Sequence, residues 1–269
     1  MFWTRLISGV VMLAVLIAAI CLGGPVLYFL LLTISLIGMF ELYRAAGVRR
    51  EKENLLTIMA YLGAAAYYIL VFFGLKDYYL PCLSGAMIAL LFVFVLRYPS
   101  YRTDQVAVAF FGIIYVAVSL SFIYQTRMLP EGEFTVWLII ICSWGCDTMA
   151  YCTGMLLGKH KMAPVLSPKK SVEGAVGGVF FAALFGAVYA LAVGRFLSPG
   201  VNRVALYALI GGVGALISMV GDLAASAIKR DHDVKDYGKL LPGHGGILDR
   251  FDSVIITAPI IYLLAYLFR

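Results

Sequence analysis

Asp222-Leu-Ala-Ala-Ser-Ala-Ile-Lys-Arg-Asp-His-Asp-Val-Lys-Asp-Tyr-Gly-Lys-Leu-Leu-Pro-Gly-His-Gly-Gly-Ile-Leu-Asp-Arg-Phe-Asp252 is the one long polar stretch in a chain that is otherwise nearly all hydrocarbon. It gathers six Asp, three Lys, two Arg and two of the three His of the whole chain. Asp222 follows an apolar run directly, and Asp249 and Asp252 lead straight into another. These acids therefore sit at the ends of apolar segments, where an unpartnered charge is costly. Carboxylates beside cations and a Gly-rich turn suit divalent metal and phosphate. A solvated loop between two membrane helices is the bland alternative.

Outward from this stretch the composition decides the class. The chain has 269 residues, 62% hydrophobic and 13% charged, with a mean hydropathy of +0.94. A soluble domain is about 45–50% apolar and about 25% charged. The expected fold is therefore all-α, a polytopic integral membrane protein. The net charge of +6 does not point to nucleic acid, because the cations flank apolar runs as topology signals do. Cys21, Cys82, Cys142, Cys146 and Cys152 lie in or beside apolar runs, and no CxxC pair or His/Cys cluster suggests zinc. No A-x-A site follows the first apolar run, and Ala18-Ala19-Ile20-Cys21 is a poor lipoprotein cleavage box, so that run reads as a retained helix.

Spanning takes about 20 mostly apolar residues. Nine segments qualify, at about 5–22, 25–43, 55–74, 80–97, 105–126, 134–157, 173–194, 202–225 and 252–268. With the N-terminus in the cytoplasm, the outside keeps only Lys76, Arg127, Arg195, Arg203 and Arg269 of the 21 cations. This bias puts the polar stretch on the cytoplasmic side, where nucleotides are. Glu41, at the end of the second span, has Arg44 one turn on, and a local pair is expected there. No internal repeat or low-complexity linker divides the chain. One membrane domain is expected, with about 1–130 a helical scaffold and about 131–269 a catalytic half.

Two features of the second half extend the polar stretch. The sixth span contains Asp147, whose insertion costs about 2.5–3.5 kcal/mol and so demands a partner. A structural hydrogen bond to a neighbouring helix and a third acidic wall of a metal or nucleotide pocket both remain open. Ser167-Pro168-Lys169-Lys170-Ser171, followed by Glu173-Gly174, opens the seventh span. Lys beside a helix N-terminus suits an anion, although positive-inside charge would also account for it. Gly174, Gly177 and Gly178, then Gly211, Gly212 and Gly214, read as faces for close helix packing.

The pattern Ser226-x-x-Lys229-Arg230-x4-Lys235-Asp236-x-Gly238-x2-Leu241-x-x-His244-Gly245-Gly246-x-x-Asp249-Arg250-x-Asp252 resembles the signature of the phosphatidate cytidylyltransferases, also called CDP-diacylglycerol synthases. Asp147-Thr148-x-Ala150-Tyr151 and the Ser-Pro-Lys-Lys-Ser run are similar to further motifs of that family. The resemblance implies that CTP and phosphatidate give CDP-diacylglycerol and pyrophosphate, at the membrane of a bacterial-type cell, with the site facing the cytoplasm. The lipid phosphate, whose second pKa is near 6, is already ionised, so no strong general base is needed. Two anions must be brought together, which is work for cations and positioning.

Carboxylate oxygens are the ligands Mg2+ prefers. Asp222 and Asp249 are the first expected ligands. Asp252, one turn from Asp249, either joins the site or caps its helix. The resemblance leaves room for a second, monovalent ion such as K+. Lys229 and Arg250 are expected in the reaction itself. Lys169, Lys170, Ser171, Ser226, Arg230, Lys235, His244, Gly245, Gly246 and Asp147 are expected to bind substrate. The bilayer is a partner and a homodimer is compatible with the reading. The rivals are a CTP-dependent polyprenol kinase and, from another class, a transporter with Asp147 and Asp222 as ion sites. The pattern of the CDP-alcohol phosphotransferases is absent.

Overall fold

A computed structural model of the chain describes residues 2–48, 54–197, 202–240 and 245–268, with side chains from Ser8 onward. The architecture is helical, as the composition requires. The helices are α1 (Phe2–Leu22), α2 (Gly24–Ala45), α3 (Leu55–Phe72), α4 (Lys76–Leu96), α5 (Thr103–Arg127), α6 (Gly132–Leu157), α7 (Val172–Phe196), α8 (Arg203–Asp231) and α9 (Leu248–Leu267). Among the described residues, eight of them, α2 to α9, are long and apolar enough to cross a membrane, and α1 contributes a shorter apolar stretch, Ser8–Leu22. The nine expected segments are thus all helical.

Their apolar surfaces face outward as well as inward, which only a lipid solvent tolerates. In α7, Val176, Phe180, Val188 and Leu191 are exposed in an i, i+3/i+4 stripe, while Gly178, Ala182, Gly186 and Ala190 are buried on the other face. The small residues let backbones approach. A Cβ at Gly211 of α8 would collide with the carbonyl of Ala182 in α7.

The chain divides into two compact units. The first comprises residues 1–124 and 231–250, the second residues 125–230 and 251–269. In the first unit, α3 packs on α4, and α2 packs on α3 and on a π-helical turn of α5, Ile113–Val118. Two tyrosines find polar partners inside the apolar packing. Ser35 and Tyr68 share a hydrogen bond of 2.7 Å, and the Tyr43 hydroxyl donates to the Ala109 carbonyl at 2.6 Å.

In the second unit α6 packs most closely on α7. Cys146, Ala182, Ala215 and Met219 form a buried core, with Ala175 and Val179 against it. Two local features mark this unit. A π-helical turn, Ile141–Gly145, interrupts α6 two residues before Asp147. Such turns widen a helix by one backbone register and are frequent at functional sites. The segment between α6 and α7 also forms an antiparallel hairpin of β1 (Lys161–Ala163) and β2 (Ser167–Ser171). The α8 helix, by contrast, continues unbroken past Asp222 to Asp231.

Candidate functional site

The second unit collects an acidic group from three helices. Asp222 projects from α8 after the buried Gly221, at which a Cβ would crowd the carbonyl of Asp252 in α9. That close approach brings Asp252 beside Asp222. Asp147 of α6 lies within electrostatic reach of Asp222, and the Ser253 side chain stands next to it. Two lysines face the three acids. Lys170 of β2 makes an ion pair with Asp222, with both side chains about three-quarters buried. Lys229, two turns beyond Asp222 on α8, lies within electrostatic reach of Asp252.

The hairpin decides which lysine takes part. Side chains alternate across a strand, so Lys169 is exposed while Lys170 is turned inward. Ser171 then caps α7, its Oγ accepting the Gly174 amide at 3.1 Å. Glu173 ties the start of the hairpin to the same helix. Its carboxylate accepts the amides of Lys159 and His160 and meets His160 Nδ1 at 2.6 Å. Ser226, half-buried, and Arg230, exposed, lie further along α8.

The first unit holds the other part of the polar stretch, and here Glu41 of α2 organises it. Its carboxylate accepts the amides of Ile247 at 3.1 Å and Leu248 at 2.8 Å. A carboxylate is favoured at a helix N-terminus, and these amides begin α9. Glu41 remains within electrostatic reach of Arg44, as expected one turn away, but its hydrogen bonds go to the loop. Arg44 donates from Nη2 to the Tyr237 carbonyl at 2.7 Å. Asp249, 7% exposed, accepts the amides of Tyr237 at 2.8 Å and Gly246 at 2.9 Å through Oδ2. Side chains at Gly238 and Gly246 would occupy the space of the Glu41 carboxylate. Gly245 has φ +84, a left-handed conformation that favours glycine.

Lys235 is exposed and Arg250 half-buried in this unit. His244 lies outside the described residues. Glu41 and Arg44 were the residues whose part in the loop the sequence reading missed. The signal that points to such an anchor is the cost of an acid at the end of an apolar span.

Each unit thus holds its own polar group, a loop fastened through backbone amides in the first and an acidic group with a lysine-bearing hairpin in the second. The sequence pattern of the cytidylyltransferase family matches residues 3–268. The chain belongs to the cytidylyltransferase family. Relatives within reach of this cytidylyltransferase chain include the phosphatidate cytidylyltransferase of Bacillus subtilis (strain 168), 30% identical over 98% of this chain and 97% of the relative. Those of Staphylococcus aureus (strain COL) and Staphylococcus saprophyticus are each 31% identical, over 97% of both chains.

The family's nucleotide chemistry raises the question of metal. Among the described residues, no three His, Cys, Asp or Glu side chains are arranged to hold a metal ion by themselves. Mg2+ rarely asks for that. It is bound by one or two carboxylates, with substrate phosphates and water completing its shell. Asp147, Asp222 and Asp252 outnumber the two lysines that face them and offer only hard oxygen donors. The donor set in this cytidylyltransferase fits Mg2+.

Proposed function

We propose that this chain transfers the cytidylyl group of CTP to phosphatidate. A phosphate oxygen of the lipid forms a bond to the α-phosphorus of CTP as the bond from that phosphorus to the bridging oxygen of pyrophosphate breaks. The products are CDP-diacylglycerol and pyrophosphate, with inversion at the α-phosphorus. The observation that supports this most is the Lys170–Asp222 ion pair within a group of three acids. A site of paired opposite charges can exchange its internal pair for an incoming polyanion and its cation.

In this reading Lys170 and Lys229 receive CTP phosphates, and Asp222 with Asp252 would hold Mg2+. The ion, when bound, supplies neutralisation of phosphate charge. Asp147 forms the third acidic wall. Ser171, at the N-terminus of α7, places the Gly174 end of that helix toward an anion. For Asp249, acceptance of two backbone amides adds a loop-ordering duty to the ligand role expected of it. The site faces the cytoplasm, a side supported by the placement of the cations.

The test is label transfer with purified protein, phosphatidate, Mg2+ and CTP labelled at the α- or the γ-phosphorus. Label from the α position in extracted lipid is expected. Label from the γ position would mean kinase chemistry and overturn the reading.

A further inference from the structure

The first unit carries a cleft of about 720 Å³ beside the loop contacts of Glu41 and Arg44. Its walls include Ile37 and Phe40 of α2, Tyr61 of α3 and Leu240, and its charged lining is Arg44, Lys239 and Glu41. We propose that this cleft docks a lipid with a phosphomonoester headgroup, its acyl chain along the apolar wall and its phosphate between Arg44 and Lys239. The proposal rests on the reading that phosphatidate is the acceptor and names where such a lipid is held.

Three observations carry it. The lining is ordered along α2, with Ile37 and Phe40 in its apolar length and Arg44 in its last turn. A lipid seated there has chain and headgroup at matching depths. Glu41 is held in place by the amides of Ile247 and Leu248, one on each oxygen, which leaves the N–H donors of Arg44 and the Lys239 ammonium to hydrogen-bond a ligand. Arg44 is also pre-oriented, by its bond to the Tyr237 carbonyl and by its position 5.7 Å above the Phe40 ring. A guanidinium so held still presents further N–H donors in a planar fork suited to phosphate.

Charge complementarity selects the headgroup. A phosphomonoester carries about −1.5 to −2 at pH 7 and presents three terminal oxygens, enough to meet both Arg44 and Lys239 beside the Glu41 carboxylate, whereas a phosphodiester lipid carries a single charge on two terminal oxygens.

The experiment measures binding of phosphatidate and of chain-matched phosphatidylglycerol to the full-length protein in detergent, by native mass spectrometry, without CTP or Mg2+. Lys239→Gln removes a headgroup cation at an exposed position, and Ile37→Trp fills the apolar wall. Each variant is expected to weaken phosphatidate binding about tenfold, which corresponds to about 1.4 kcal/mol, and to leave CTP binding unchanged. Wild type is expected to prefer phosphatidate to phosphatidylglycerol. Unchanged phosphatidate binding in both variants, or equal binding of the two lipids by wild type, overturns the proposal. Because no turnover is read, a protein that fails to transfer label yet loses phosphatidate on these substitutions supports the groove while the functional reading falls.

Discussion

The carboxylate of Glu41 meets the backbone amide of Leu248 at 2.8 Å across 207 residues of sequence. With its second oxygen on Ile247, it caps the helix that begins where the Gly-rich turn ends. The turn is thus fastened to α2 at one point and closed on itself by Asp249 at another.

Glu41→Gln tests that fastening. Glutamine has one acceptor oxygen and places an NH2 group against an amide N–H. Glu41 is 2% exposed, so water cannot replace the lost acceptor. Hydrogen bonds to charged groups contribute about 1.5–3 kcal/mol. The variant is expected to unfold at lower temperature in detergent and to exchange the amides of Ile247 and Leu248 faster. An unchanged melting temperature with unchanged exchange would remove Glu41 from the account of the loop.

Gly246→Ala approaches the same contact from the other side. A Cβ there would meet both Glu41 oxygens, while one at Gly85 in α4 has nothing within 4 Å. Alanine is favoured over glycine inside a helix by about 1 kcal/mol. Gly85→Ala should therefore be neutral or stabilising. Gly246→Ala should displace the loop and lower cytidylyl transfer by more than about tenfold, since small misplacements of reacting groups are costly. Equal activity of the two variants would show that the close approach does not matter.

These contacts explain what the sequence could and could not convey. The helices of the described residues were legible because lipid demands apolar length, a local property of composition. The small-residue faces of α7 and α8 were legible for the same reason, and the contact of Gly211 with the Ala182 carbonyl matches the expected close packing. Glu41 was not legible as a loop anchor, because its partners are backbone amides, which every residue has and no side-chain pattern announces. The pairing of Lys170 with Asp222 joins two residues that had been given separate duties. Only the hairpin turns Lys170 rather than Lys169 inward.

Lys170 and Asp222 are expected to be separately necessary for turnover. Asp222→Asn keeps the shape and removes the charge that pairs with Lys170 and would hold Mg2+. Lys170→Gln removes the cation. Each is expected to lower kcat by about 10²–10³-fold, the range typical when one preorganised electrostatic contact is deleted. Both proteins should remain monodisperse in detergent, because each substitution nearly keeps the side-chain size and the group that loses its partner is still about a quarter exposed, so the helix contacts stay intact. Near-normal label transfer by both variants would sink the assignment of this group to the reaction.

Ser171 separates capping from substrate binding. Its Oγ accepts the Gly174 amide at 3.1 Å, and replacement of such a cap by alanine costs about 0.5–2 kcal/mol. Asn and Asp are both good caps and nearly the same size, so Ser171→Asn and Ser171→Asp make a controlled pair. If Ser171 serves only the helix, the two variants should behave alike in stability and in turnover. If the N-terminus of α7 receives a triphosphate, the added carboxylate of Ser171→Asp repels it, and the variant should show a KM for CTP at least about tenfold above that of Ser171→Asn. The second outcome is expected, because Lys170 precedes the cap directly and is the lysine that reaches Asp222. Equal KM values would confine Ser171 to its structural role and move the triphosphate away from α7.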